Sequence, residues 1–116
     1  MVNEGENRRK AVRVSSTARC WCETDNITVY AQLANVSEGG LFLRSLAPLS
    51  KGTRTRVRFV VAPSAPEIEA EAVVVWRREH TSDGPPGMGL MFTQVPQPHL
   101  DRIRAFIGVA LDPDRD

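Results

Sequence analysis

Apolar and polar residues alternate through most of the chain, in short runs separated by turn residues. Val12, Val14, Ala18, Cys20 and Cys22 share one parity, while Arg13, Ser15, Thr17, Arg19 and Trp21 take the other. A period of two marks a strand with one buried face. Glu23-Thr24-Asp25-Asn26 then supplies turn residues, and Ile27, Val29, Ala31 and Leu33 resume the alternation. The first two strands are therefore expected to pair as a hairpin. Asn35 to Gly40 reads as a loop, Leu41-Phe42-Leu43 as a short strand, and Pro48 to Gly52 as a turn.

The next two runs are the most regular. Thr55, Val57, Phe59 and Val61 alternate with Arg54, Arg56 and Arg58; Ile68, Ala70, Ala72, Val74 and Trp76 alternate with Glu67, Glu69 and Glu71. An antiparallel pairing lays the arginines beside the glutamates, and opposite charges across a strand pair contribute about 0.2–1 kcal/mol each. That makes the arginine stripe an ion-paired solvent face rather than a phosphate track. Gly84-Pro85-Pro86-Gly87 precedes a last strand from Met88 to Thr93. Leu100, Ile103, Phe106, Ile107 and Ala110 then follow helical spacing, with Pro98 suited to the first turn and Pro113 ending the pattern. About six antiparallel strands and one amphipathic helix are expected, and short strands of this kind close into barrels or sandwiches. Residues 1–10 are polar without periodicity and read as a flexible arm, 11–112 as the folded unit, and 113–116 as a tail.

A chain of 116 residues allows one domain. Its 41% hydrophobic and 25% charged residues exclude a collagen, a coiled coil and a wholly disordered chain. The formal charge of +1 excludes nucleic-acid binding through bulk charge. All the basic residues except Lys10 and Lys51 are arginine. Arginine is the better fork for phosphate and guanine edges, although a GC-rich genome produces the same bias. No apolar stretch is long enough to span a membrane, and Met1 to Arg13 lacks the apolar centre of a secretory signal, so a cytoplasmic location is expected. Cys20 and Cys22 are then expected to be reduced, buried thiols. With only His80 and His99 to help them, they fall short of a metal site.

No catalytic set emerges. Neither histidine is accompanied by a nucleophile motif, the carboxylates lie in the strand row and at the C-terminus, and phosphate-loop glycine patterns are missing. Two polar motifs remain. Arg8-Arg9-Lys10-Ala11-Val12-Arg13 is an RRxxxR, and Asn35-Val36-Ser37-Glu38-Gly39-Gly40 is an NxSxxG. The open end of the first hairpin would bring them together, placing three guanidiniums against a loop of short polar side chains and glycines. Arginine is bidentate both to phosphate oxygens and to guanine O6 and N7, so the pair suits a phosphorylated ligand with acceptor-rich edges.

RRxxxR followed about 20 residues later by NxSxxG, on a pattern of six strands and a helix, resembles the PilZ domain family. The likeness extends to Gly39-Gly40-Leu41-Phe42-Leu43, Gly52, Val73-Val74-Val75-Trp76 and Gly87-Met88-Gly89-Leu90-Met91-Phe92. It implies a six-stranded antiparallel β-barrel with a C-terminal helix, and a receptor for cyclic di-GMP. By the resemblance, Arg8, Arg9 and Arg13 grip phosphates and guanines, Asn35 and Ser37 contact base and ribose-phosphate, and Gly40 shapes the turn. Asn35 stands where aspartate is more frequent in the family, which keeps the acceptor oxygen and loses the charge. Trp76 has two readings: stacking on a base, or core by its parity with Ile68, Ala70 and Val74. An arginine at the position of Arg8 resembles members that bind a stacked ligand pair, so two cyclic di-GMP molecules per chain are expected.

These readings make the chain a non-enzymatic receptor without a cofactor. It would signal by ligand-induced ordering of the N-terminal arm and through an effector protein. The alternative is a PilZ-like adaptor that no longer binds the ligand. A small β-barrel nucleic-acid binder is a third reading, disfavoured because the aromatics are few and Phe42, Phe59, Phe92 and Phe106 fall mostly on core parity.

Overall fold

The computed structural model describes residues 14–15, 18–61, 65–79 and 84–111. The arm with Arg8 and Arg9, Arg13, and the tail lie outside the described residues. The strands are β1 (Val14–Ser15), β2 (Arg19–Glu23), β3 (Thr28–Val36), β4 (Gly40–Arg44), β5 (Arg54–Phe59), β6 (Ile68–Arg78) and β7 (Gly87–Gln94), followed by helix α1 (Gln97–Leu111). All pairings are antiparallel and run β3-β2-β5-β6-β7-β4, with β4 returning to β3. The result is the expected closed six-stranded barrel, in which β1 and β2 share one edge of β3.

The expected first strand differs in one respect. Val14 faces Val36 and Cys20 faces Ala31, so six steps on one strand meet five on the other and the two segments are out of step by one residue. The second difference is at Asn35 to Gly40, expected to be a loop throughout. Asn35 and Val36 continue β3, and Gly40 already belongs to β4. Backbone pairing to both β1 and β4 extends the strand.

Inward residues fill the barrel: Leu33, Val36, Leu41, Leu43, Val57, Phe59, Ile68 and Leu90 are all buried. Alternation accounts for most of them, because a pleated strand sends successive side chains to opposite faces. Cys20 and Cys22 are free thiols within this core. A hydrogen bond with Cys22, together with burial, pushes the Cys20 thiol far above its usual value and keeps it protonated. Thr55 is the buried polar residue of β5, and its hydroxyl donates to the Glu23 carbonyl at 2.9 Å.

The arginine and glutamate rows fall in register, Arg56 opposite Glu71 and Arg58 opposite Glu69. The ion pairs form diagonally instead. Arg58 meets Glu23 on β2 at 2.6 Å and Glu67 at 3.6 Å, and covers the ring of Trp21. Arg54 and Arg56 make no ion pair among the described residues.

Helix α1 begins beside Pro96, whose carbonyl accepts from the amides of His99 and Leu100. Ile103 is buried, with Phe106 and Ile107 packed on the core. His99 Nδ1 accepts the Glu69 amide at 3.0 Å, and Arg102 donates to the Glu67 carbonyl at 3.1 Å. These bonds hold α1 at the barrel end from which the β3–β4 turn emerges.

Candidate functional site

The register places one row of residues across five strands. Ser15 faces Asn35, Asn35 faces Phe42, Phe42 faces Gly89, and Gly89 faces Trp76. Two bulges bring this row to the outer surface. β3 carries an extra residue between Leu33 and Asn35 against β4, and β6 carries one between Val74 and Trp76 against β7. A bulge reverses the inside–outside parity of everything beyond it. Trp76 therefore leaves the core side it shares by parity with Val74 and is 42% exposed. Phe42, also assigned to the core by its sequence pattern, is half-buried on the same outer face because it alternates with the buried Leu41 and Leu43 on β4.

An open groove of about 490 Å³ follows the row, lined by Asn35, Ser37, Gly39, Phe42, Val75, Trp76, Gly89, Leu90 and Met91. It unites Asn35, Ser37 and Trp76 from the sequence-selected set. Gly40 lies beside it as a structural element. Its Cβ would sit 2.0 Å from the Leu90 carbonyl oxygen, so only glycine permits β4 to pair with β7 at this distance. Arg8, Arg9 and Arg13 fall outside the described residues. Arg13 precedes β1 directly, however, and the paired residues Ser15 and Asn35 mark where the chain following it runs.

The β3–β4 turn is closed from within. The Ser37 amide donates to the Gly40 carbonyl at 2.8 Å, the Ser37 hydroxyl donates to the same oxygen at 3.3 Å, and the Gly39 amide donates to the hydroxyl at 3.3 Å. Ser37 is 2% exposed, so its first role is to hold the turn. The Gly39 carbonyl accepts from Phe92, which fastens the turn to β7. Glu38, at the tip, pairs with Arg104 of α1 at 3.3 Å.

Residue order alone does not disclose the aromatic part of the groove. Phe42 and Trp76 lie 5.3 Å apart at 57°, and Arg78 covers the Trp76 ring at 5.2 Å. The available sequence signal is the glycine at position 89, which removes the side chain between the two rings. A larger polar cavity of about 600 Å³ lies beside the β2–β3 turn, lined by residues including Glu23, Asp25, Arg54, Arg56 and Glu71. It mixes both charges and contains none of the motif residues. Among the described residues no cluster of His, Cys, Asp or Glu could hold a metal ion. No described helix is long and apolar enough to cross a membrane.

A family profile described as "PilZ domain" matches residues 7–108. The chain belongs to the PilZ domain family. Among curated proteins, none matches the sequence. Solved structures share the fold of this PilZ chain. The motility inhibitor MotI/DgrA of Bacillus subtilis superposes with a TM-score of 0.72 at 19% identity, over 85% of this chain and 48% of that one. The PilZ domain of YcgR from Escherichia coli, solved with c-di-GMP, gives 0.71 at 18% identity over 89% and 91%. The c-di-GMP complex of MrkH from K. pneumonia gives 0.71 at 20% identity over 86% and 51%. The chain thus spans about half the length of MotI/DgrA and MrkH and nearly all of the YcgR domain.

Proposed function

We propose that this PilZ chain is a receptor for cyclic di-GMP with no catalytic activity of its own. The observation that carries the reading is the cross-strand row from Ser15 to Trp76. It sets Asn35, the Ser37 turn and the Phe42–Trp76 pair, with its exposed indole, in one groove, beside the strand that follows Arg13. The ligand supplies what such a groove recognises: flat guanines for Trp76, base donors for the Asn35 oxygen, and phosphates for Arg8, Arg9 and Arg13. Solved PilZ relatives hold the same ligand.

Signalling follows from where the groups stand. Bound phosphate draws the arginines of RRxxxR over the groove, which orders the chain ahead of β1 and alters the surface offered to an effector protein in the cytoplasm. The Glu38–Arg104 pair gives the same turn a second connection, to α1. Titration with cyclic di-GMP, followed by calorimetry and backbone amide shifts, tests the reading. Saturable binding with shifts at Asn35, Gly39, Trp76 and Gly89 is expected. No heat and no shifts at high-micromolar ligand would leave the interaction-adaptor reading in its place.

A further inference from the structure

Arg78, the last residue of β6, lies with its guanidinium over the indole of Trp76, Cζ 5.2 Å from the ring centroid. Two features fix it there. Its Nε–H donates to the Pro85 carbonyl oxygen at 2.9 Å. Gly84 leaves the space beside it clear, since a Cβ there would stand 3.0 Å from Nη2. Arg58, Arg77 and Arg104 each have a carboxylate partner, whereas Arg78 has none among the described residues. Its terminal nitrogens therefore carry donors that no described residue uses.

The offset matters. Carbon atoms in contact lie about 3.5–4.0 Å apart, so a guanidinium centred on the ring would stand closer than 5.2 Å. Arg78 therefore does not stack flat on the ring centre, and the indole stays 42% exposed. A base stacked on the exposed part of the indole would lie beside the guanidinium. An arginine fork met edge-on pairs with two adjacent acceptors, and guanine presents them as O6 and N7. Adenine places an amino donor at the corresponding position, which opposes the fork.

We propose that Arg78 is a specificity-determining residue of the groove, pairing through its terminal nitrogens with the O6/N7 edge of a guanine stacked on Trp76. The proposal rests on the receptor reading above and adds a base-reading cation that lies outside both sequence motifs.

The test compares wild type, Arg78→Ala and Arg78→Lys for cyclic di-GMP and cyclic di-AMP, by competition against fluorescently labelled cyclic di-GMP. Arg78→Ala is expected to weaken cyclic di-GMP about tenfold or more and cyclic di-AMP less than about twofold. Arg78→Lys keeps a cation that can still donate to O6 and N7 but loses the planar fork, and should retain only part of the guanine preference, with the melting temperature of both variants near that of wild type. Equal losses for the two ligands would make Arg78 only a support for Trp76 and overturn the proposal. Unchanged cyclic di-GMP affinity would also overturn it while leaving the receptor reading intact. A wild-type chain that binds neither dinucleotide would overturn both.

Discussion

Phe42 and Trp76 stand on strands that do not pair with each other, yet their ring centroids are 5.3 Å apart. β7 runs between them, and Gly89 is the residue facing both. A bare backbone at that point lets the two rings lean together over it. The pair forms the apolar floor of the groove, and the part of Trp76 left exposed offers a stacking surface.

Stacking of one base on an aromatic side chain is worth about 1–3 kcal/mol. Trp76→Ala should accordingly weaken cyclic di-GMP binding by about tenfold or more. Since the indole lies outside the barrel core, the urea midpoint should move little. Fluorescence or calorimetric titration beside a denaturation curve separates the two effects. A large loss of stability with unchanged affinity would return Trp76 to a packing role.

Gly40 and Gly39 provide a matched pair in the same turn. A Cβ at Gly40 would sit 2.0 Å from the Leu90 carbonyl oxygen, whereas at Gly39 it would meet nothing within 4 Å. Forcing atoms into a packed position costs about 1–3 kcal/mol, sometimes more. Gly40→Ala should lower stability by at least that range, because backbone rather than a flexible side chain must move. Gly39→Ala should leave the melting temperature within a few degrees of wild type. Thermal melting of the two variants is the check, and equal stability would show that β4 and β7 separate without cost.

The outer arginines of β5 should not be equivalent. Arg58 has Glu23 at 2.6 Å, Glu67 at 3.6 Å and the Trp21 ring beneath it, while Arg56 makes no ion pair among the described residues. Arg58→Ala is expected to lower the urea midpoint more than Arg56→Ala. Arg56→Glu should leave cyclic di-GMP affinity unchanged, since β5 lies away from the groove. A clear affinity loss in Arg56→Glu would mean that the ligand occupies another face.

The barrel is legible in the sequence wherever alternation is unbroken. Thr55, Val57 and Phe59 turn inward against Arg54, Arg56 and Arg58, as their parity requires. The helix is equally direct, with Ile103 buried at the centre of its apolar stripe. Parity misleads at the bulges. One extra residue in β6 sends Trp76 outward although Val74, two positions before it, is buried. A bulge is a property of two paired strands, and the sequence of either strand alone does not contain it. The same holds for Arg78, whose position depends on the turn that returns Pro85 to its side. The motif residues Asn35 and Ser37 are visible because type and spacing mark them, whereas Phe42 and Gly89 join the groove only through register.

Arg9 and Arg13 should govern affinity without governing stability. A hydrogen bond to a charged group contributes about 1.5–3 kcal/mol, so Arg9→Ala or Arg13→Ala should each weaken cyclic di-GMP binding by more than about tenfold. The melting temperature without ligand should hardly change in either variant. Parallel loss of stability and affinity would show that these side chains support the fold instead of the ligand.

The number of bound ligands is the last expectation. Cyclic di-GMP carries two phosphates, and its guanines can stack on those of a second copy. An intercalated pair brings four phosphates together and needs more cationic donors than Arg9 and Arg13 provide. Arg8, immediately before Arg9, offers a further planar fork with five N–H donors and offsets part of the added phosphate repulsion. The open groove, with an exposed indole at one side, leaves a base surface on which a stack can begin. Two cyclic di-GMP molecules per chain are therefore expected, and Arg8→Leu should reduce the number towards one. Isothermal titration at chain concentrations well above the dissociation constant reads the number directly. Saturation at one ligand per wild-type chain would rule out the pair, and a stoichiometry of two that persists in Arg8→Leu would assign the extra phosphates to another cation.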